Sequence, residues 1–144
     1  MKELMISLLL WIGTNSTLMV ENVILPQVKF TSSEEMHRIF GMEDNCDYTT
    51  VKALYDIHNK EIYLLDDWDK SNLIDRSFLL HELVHHLQKQ KGYECRQKKE
   101  EEAYELQFKY LKESAIDNPK EMLNINDLFY IIMTTCDIFY WKVS

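Results

Sequence analysis

A chain of 144 residues suits one compact domain with one core, and 46% hydrophobic residues are too many for a disordered polymer. The formal net charge of −8, from 24 acidic against 16 basic residues, argues against a nucleic-acid partner, which needs a basic face for phosphate. Three glycines and two prolines are too few for an all-β design with many tight turns, so helices are favoured.

Residues 3–20, which include LMISLLLWIG, are predicted to form a buried helix. The preceding MKE carries no net positive charge and no small-x-small cleavage site follows, as an export signal requires. The apolar run is also too short to span a bilayer. No membrane span and a cytoplasmic location are the resulting expectations. Pro26 then opens an extended stretch in which Val28 and Phe30 alternate with polar neighbours, as in a short strand. TSSEEMHRIFG reads as a helix capped by Ser32 or Ser33, with Met36, Ile39 and Phe40 as its apolar stripe and Gly41 at its end.

Two β-rich runs, 51–55 and 61–65, flank a polar turn at His58-Asn59-Lys60 and predict a hairpin. Trp68 and the DDWD acids read as a structural corner. A long helix is expected from about Leu73 to Lys91, stopped by Gly92, and a second from about Cys95 to Ser114. The one basic cluster, KQKGYECRQKK, supplies the ends of these two helices. Asn118-Pro119 breaks the chain before a last helix, about Met122 to Tyr140, with Leu123, Leu128, Ile131 and Ile132 as core contacts. Cys46, Cys95 and Cys136 are odd in number and lack CxxC spacing, so neither a disulfide framework nor a cysteine zinc site is indicated; reduced thiols are the simpler expectation, one disulfide plus one free thiol the alternative. The order of elements is an α+β plan within one domain, 1–144.

The chemistry concentrates in HELVHHLQ. On a helix, residues four apart lie one above the other, so His81 and His85 can aim imidazole nitrogens at one zinc ion. Glu82 lies about 100° round the helix, beside the metal without binding it, where a general base belongs. Phe78, Leu80, Leu83, Val84 and Leu87 bury much of this helix, so polar side chains there need a partner, which a metal would provide. A third ligand is available in EEEAYELQ. With Glu100 facing the metal, Ala103, Tyr104 and Gln107 share its face at i+3, i+4 and i+7. Ala103 permits close approach, Tyr104 and Gln107 can hydrogen-bond the ligands, and Glu101 and Glu102 point more toward solvent. His86, on the face of Glu82, reads as a surface or hairpin-packing residue.

His81-Glu82-x-x-His85 followed by Glu100-x-x-Ala103 resembles the gluzincin branch of the zincin metallopeptidases. It is also similar to small bacterial domains in which HELVH plus Gln precedes a Glu-x-x-Ala-Tyr-x-x-Gln helix, the match covering roughly residues 60–107. The resemblance implies zinc ligand roles for His81, His85 and Glu100 and a base role for Glu82. It implies a minimal zincin-like α+β fold, in which a small sheet with a hairpin edge packs on the active-site helix and the glutamate helix. A peptide or protein substrate is then expected, added as a strand along the Glu61–Leu65 edge. Many gluzincins carry an acid directly after the Ala. Here Tyr104 stands in its place, either orienting a ligand or stabilising an oxyanion. Two rival readings keep less: a zinc-stabilised binding module closed by a fourth ligand such as His86 or Cys95, and a metal-free helical hairpin.

Overall fold

The computed structural model describes residues 1–40 and 52–136. The first helix, α1 (Lys2–Asn15), buries Met5, Leu8, Leu9 and Ile12, a spacing of i, i+3, i+4 and i+7 that forms one face. It ends five residues earlier than the sequence suggests. Thr14, Asn15 and Ser16 each bond the carbonyl four residues back, and Ser16 turns extended. The chain then doubles back. A side chain at Gly13 would stand 2.8 Å from Val20, so glycine there lets the return segment lie on the helix.

Three strands follow: β1 (Gln27–Thr31), β2 (Ala53–Asp56) and β3 (Glu61–Leu65), with α2 (Ser33–Phe40) after the first. Ser32 caps α2 by accepting from the Glu35 amide at 3.2 Å, and Met36 is its buried anchor, while Ile39 is exposed. Gly41 and Val51, expected at the ends of elements, lie outside the described residues. The β2–β3 hairpin turns where Asp56 Oδ1 accepts from the His58 and Asn59 amides and Lys60 adopts φ 56°.

The sheet order is β1-β3-β2, with β1 parallel to β3 and β2 antiparallel to it. Glu61–Leu65 is therefore the middle strand, not the substrate-binding edge expected from the sequence. β1, arriving from far upstream, has taken that side. The outer strands among the described residues are β1 and β2, and β2 is the one that packs against the helix carrying His81 and His85. Its register adds a detail. Lys52 C=O accepts from Leu65 N–H at 3.0 Å. By the alternation of antiparallel ladders, Ala53 and Tyr55 must then turn their backbone groups away from β3.

The central helix is α3 (Leu73–Leu87), capped by Asn72, whose side chain accepts from the Asp75 amide. Trp68, nearly buried, donates its indole N–H to Asp75 C=O at 2.6 Å, while Asp75 Oδ2 accepts from the Asp69 amide. These bonds make the corner that leads from the sheet into the helix. Leu79, Leu80, Leu83, Val84 and Leu87 join the α1 face and Ala53, Ile62 and Leu64 of the sheet in one core. Each such aliphatic side chain contributes about 1.5–3 kcal/mol on full burial. The expected run to Lys91 instead tightens into a 3₁₀ turn at Gln88–Gln90.

The second long helix, α4 (Arg96–Glu113), packs on α3 through Ala103 and Leu106. A short helix, α5 (Pro119–Met122), ends where the predicted last helix begins, and α6 (Asp127–Thr134) starts five residues after that point. Asn124 adopts φ 59° between them, and the Asn126 side chain caps α6 by accepting from Phe129 N–H. Leu123 is buried as expected, whereas Leu128 and Ile131 are 68% and 50% exposed and are not core contacts. Tyr140 lies outside the described residues. Cys95, at the N-cap of α4, is disulfide-bonded to Cys136, just beyond α6, which is the alternative of one disulfide rather than the simpler expectation of reduced thiols. Sequence spacing does not reveal this pair because 41 positions separate the two. Cys46 is outside the described residues. The fold is α+β, and no described helix is long and apolar enough to cross a membrane.

Candidate metal centre

His81 and His85 project from successive turns of α3 toward Glu100 on α4. His81 Nε2 lies 3.2 Å from one Glu100 oxygen and His85 Nε2 lies 3.0 Å from the other. The three side chains offer ligand atoms all within 4.8 Å of one another. Tetrahedral zinc with bonds near 2.0–2.2 Å separates its ligands by about 3.4 Å. Two imidazoles and a carboxylate are donors that such an ion takes, and ligand atoms within 4.8 Å of one another lie near enough to close on it.

The imidazole tautomers follow from the hydrogen bonds behind them. Ser77 Oγ donates to Ile74 C=O at 2.6 Å, so it accepts from Gln107 Nε2 at 3.1 Å. Gln107 Oε1 is thereby turned to His81 Nδ1, 2.9 Å away, and accepts its proton. On the other side, Gln88 Nε2 donates to Lys99 C=O and to Glu102, leaving Oε1 to accept from His85 Nδ1 at 2.8 Å. Both Nε2 atoms thus face Glu100. Gln107 holds the place its spacing predicts; Gln88, 1% exposed, belongs to the HELVHHLQ motif but has no role assigned to it from the sequence. Its signal is present in the sequence as the i+3 spacing from His85, a helical neighbour distance.

Glu102 departs from its predicted solvent-facing position. It is half-buried and accepts from Tyr93 and Lys91 as well as Gln88, so it buttresses the residue that orients His85. Glu101 pairs with Lys98 at the surface. His86 is 2% exposed and packs on the hairpin. Its Nε2 donates to Ile24 C=O at 2.8 Å and its Nδ1 accepts from the Tyr55 hydroxyl at 2.9 Å. With both nitrogens engaged there, and Cys95 in a disulfide, neither supplies a fourth ligand.

Glu82 lies nearly buried beside the cluster. Burial raises its pKa, against the opposing charges of His81 and His85 and a hydrogen bond from the Tyr55 backbone. That bond uses the Tyr55 N–H turned out from the sheet edge. Tyr104 does not hydrogen-bond a ligand, one of the roles its spacing allows. Its ring instead meets the His81 ring edge at 4.6 Å and stacks on Phe108. Burial, then Glu100 and Glu82, push the phenol pKa up, so its hydroxyl stays protonated. His81, Glu82, His85, Glu100, Tyr104 and Gln107 line one cleft of about 480 Å³ between β2 and the stretch from Leu123 into α6.

Burial alone would lower the His85 pKa. The hydrogen bond to Glu100 and the charges of Glu82 and Glu100 outweigh it and raise the imidazole to about 9. Glu100, for its part, is raised by burial but held well below the carboxylate range by its bonds to both histidines. In metal-free protein, the His85 contribution to stability is full below the ordinary value of 6.5 and is lost as pH rises through about 9. Chelator-treated protein is expected to unfold at lower urea at about pH 9 than at about pH 6. Replacing Glu100 with Gln should flatten that dependence, as urea titration at the two pH values checks.

The profile described as Domain of unknown function (DUF6647) matches residues 1–138, and the chain belongs to that family. No curated protein and no solved structure matches it.

Proposed function

We propose that this member of the DUF6647 family is a zinc-dependent hydrolase of gluzincin type that cleaves peptide bonds. The observation that carries the reading is the convergence of His81 Nε2, His85 Nε2 and Glu100 in an open cleft, with a nearly buried carboxylate, Glu82, beside them. Zinc held there supplies Lewis acidity, which acidifies a water and polarises a carbonyl. The protein residues do the rest. Glu82 accepts the proton of the attacking water and returns it to the leaving amine, and its raised pKa brings it nearer to neutral pH for both transfers. Tyr104, kept protonated, donates its hydroxyl to the oxygen that becomes negative. Gln88 and Gln107 hold the two imidazoles in the tautomer that leaves Nε2 free for the metal. An extended substrate pairs with the outward backbone groups of Ala53 on β2. The Cys95–Cys136 bond favours an oxidising compartment over the cytoplasmic location expected from the sequence.

A non-catalytic zinc module is the weaker reading, because His86 and Cys95, its two candidate closing ligands, are both committed elsewhere. Elemental analysis of protein purified without an affinity tag tests the proposal. About one zinc per chain is expected. Glu100→Ala should lose the metal, and Gln88→Leu should weaken its binding about 10–100-fold in a competitive chelator titration. A wild-type chain that takes up no zinc, or an undiminished affinity in Glu100→Ala, overturns the reading.

A further inference from the structure

The cleft has two unlike walls. One is the β2 edge, where Ala53 presents backbone N–H and C=O outward. The other is apolar and built from three elements: Phe78 on α3, Leu123 after α5, and Phe129 and Met133 one turn apart on α6. Phe129 is 43% exposed, although a ring of that size gains most by burial. It is not a stray surface aromatic, because it faces the same space as His81, His85 and Glu100.

The polar content of this space is one-sided. Glu82 and Glu100 are its carboxylates, and the one lysine among its lining residues, Lys52, is paired with Asp67 at 3.1 Å. The whole chain carries a net charge of −8. A carboxylate entering the apolar wall loses its water with no polar group of Phe78, Leu123, Phe129 or Met133 to replace it. The volume of about 480 Å³ lies in the range that accommodates small ligands or a few side chains. A strand laid along Ala53 sends alternate side chains to opposite faces, so one of them is directed at the apolar wall.

We propose that Phe78, Leu123, Phe129 and Met133 form a specificity subsite for one large uncharged apolar side chain of an extended peptide whose main chain pairs with β2 at Ala53. This rests on the peptide-hydrolase reading, and it adds the substrate class: unfolded, apolar segments rather than acidic or small-residue ones. The outward Ala53 backbone groups, which pair with no other strand among the described residues, select a peptide over a free apolar small molecule, which would leave them unmatched. Moving a leucine- or phenylalanine-sized group from water into the wall favours binding by about 10–100-fold over alanine.

The test reads binding separately from cleavage. Zinc-loaded Glu82→Gln protein is titrated by fluorescence anisotropy against labelled peptides that vary Leu, Phe, Ala and Glu at each position in turn. One position should prefer Leu or Phe over Ala by about 10-fold or more and reject Glu. Phe129→Asp, and separately Met133→Gln, should erase that preference while zinc content and circular dichroism stay unchanged. No position with an apolar preference, or a preference that survives both substitutions, overturns the subsite. If the apolar peptides bind as expected but wild-type protein cleaves none of them, the subsite stands and the hydrolase reading falls. If the wild type cleaves peptides without any side-chain preference, the subsite falls and the hydrolase reading stands.

Discussion

Glu82→Gln is expected to lower peptide hydrolysis by about 100- to 10,000-fold while leaving zinc content unchanged. The substitution keeps size and shape, and the amide oxygen can still accept from the Tyr55 backbone N–H. What it removes is a group able to take a proton from water and hand it on. Zinc stays because Glu82 is not among the three side chains whose ligand atoms converge. Stability should not fall. A nearly buried carboxylate is costly to ionise, so a neutral amide in the same place should unfold at equal or higher urea. The combination separates chemistry from structure: a drop in turnover with zinc and urea midpoint intact is the expected signature. Equal hydrolysis by wild type and variant, measured on the same zinc-loaded preparations, would remove Glu82 from the mechanism.

Cys136→Ser is expected to cost about 4 kcal/mol, from the chain entropy of a loop of roughly 40 residues released in the unfolded state. A melting temperature lower by on the order of 10 °C should accompany it, in calorimetry of the variant or of reduced wild type. The damage should be local. Beyond the disulfide, α6 is held to α4 largely by Tyr130 against Tyr104 and Phe108, while Leu128 and Ile131 face solvent. Hydrogen exchange should therefore quicken first over 119–136. His81, His85 and Glu100 sit on α3 and α4, whose contact does not pass through the disulfide, so zinc binding should survive. A melting temperature indifferent to reductant would show that packing alone holds α5 and α6 in place.

Periodicity is enough to find the candidate metal-binding residues. His81 and His85 share a helix face at any i, i+4 spacing, and Glu100, Ala103 and Gln107 share another, whatever surrounds them. The α+β order, the hairpin at 61–65 and the anchor Met36 are readable for the same reason: each depends on a pattern internal to one element or one turn.

Tertiary structure decides what covers those faces. β3 is the middle strand because β1, some 30 residues upstream, pairs with it, which leaves β1 and β2 as the outer strands among the described residues. Gln88 leaves the helix to link His85 with Glu102, and Glu102 loses its place in solvent because Tyr93, Lys91 and Gln88 converge on it. Cys95 meets Cys136, and α6 turns Leu128 and Ile131 outward. The physical division is between spacing along a chain, which sets which side chains point the same way, and contact between distant segments. Burial, hydrogen-bond partners and strand neighbours belong to the second, and no local period encodes them.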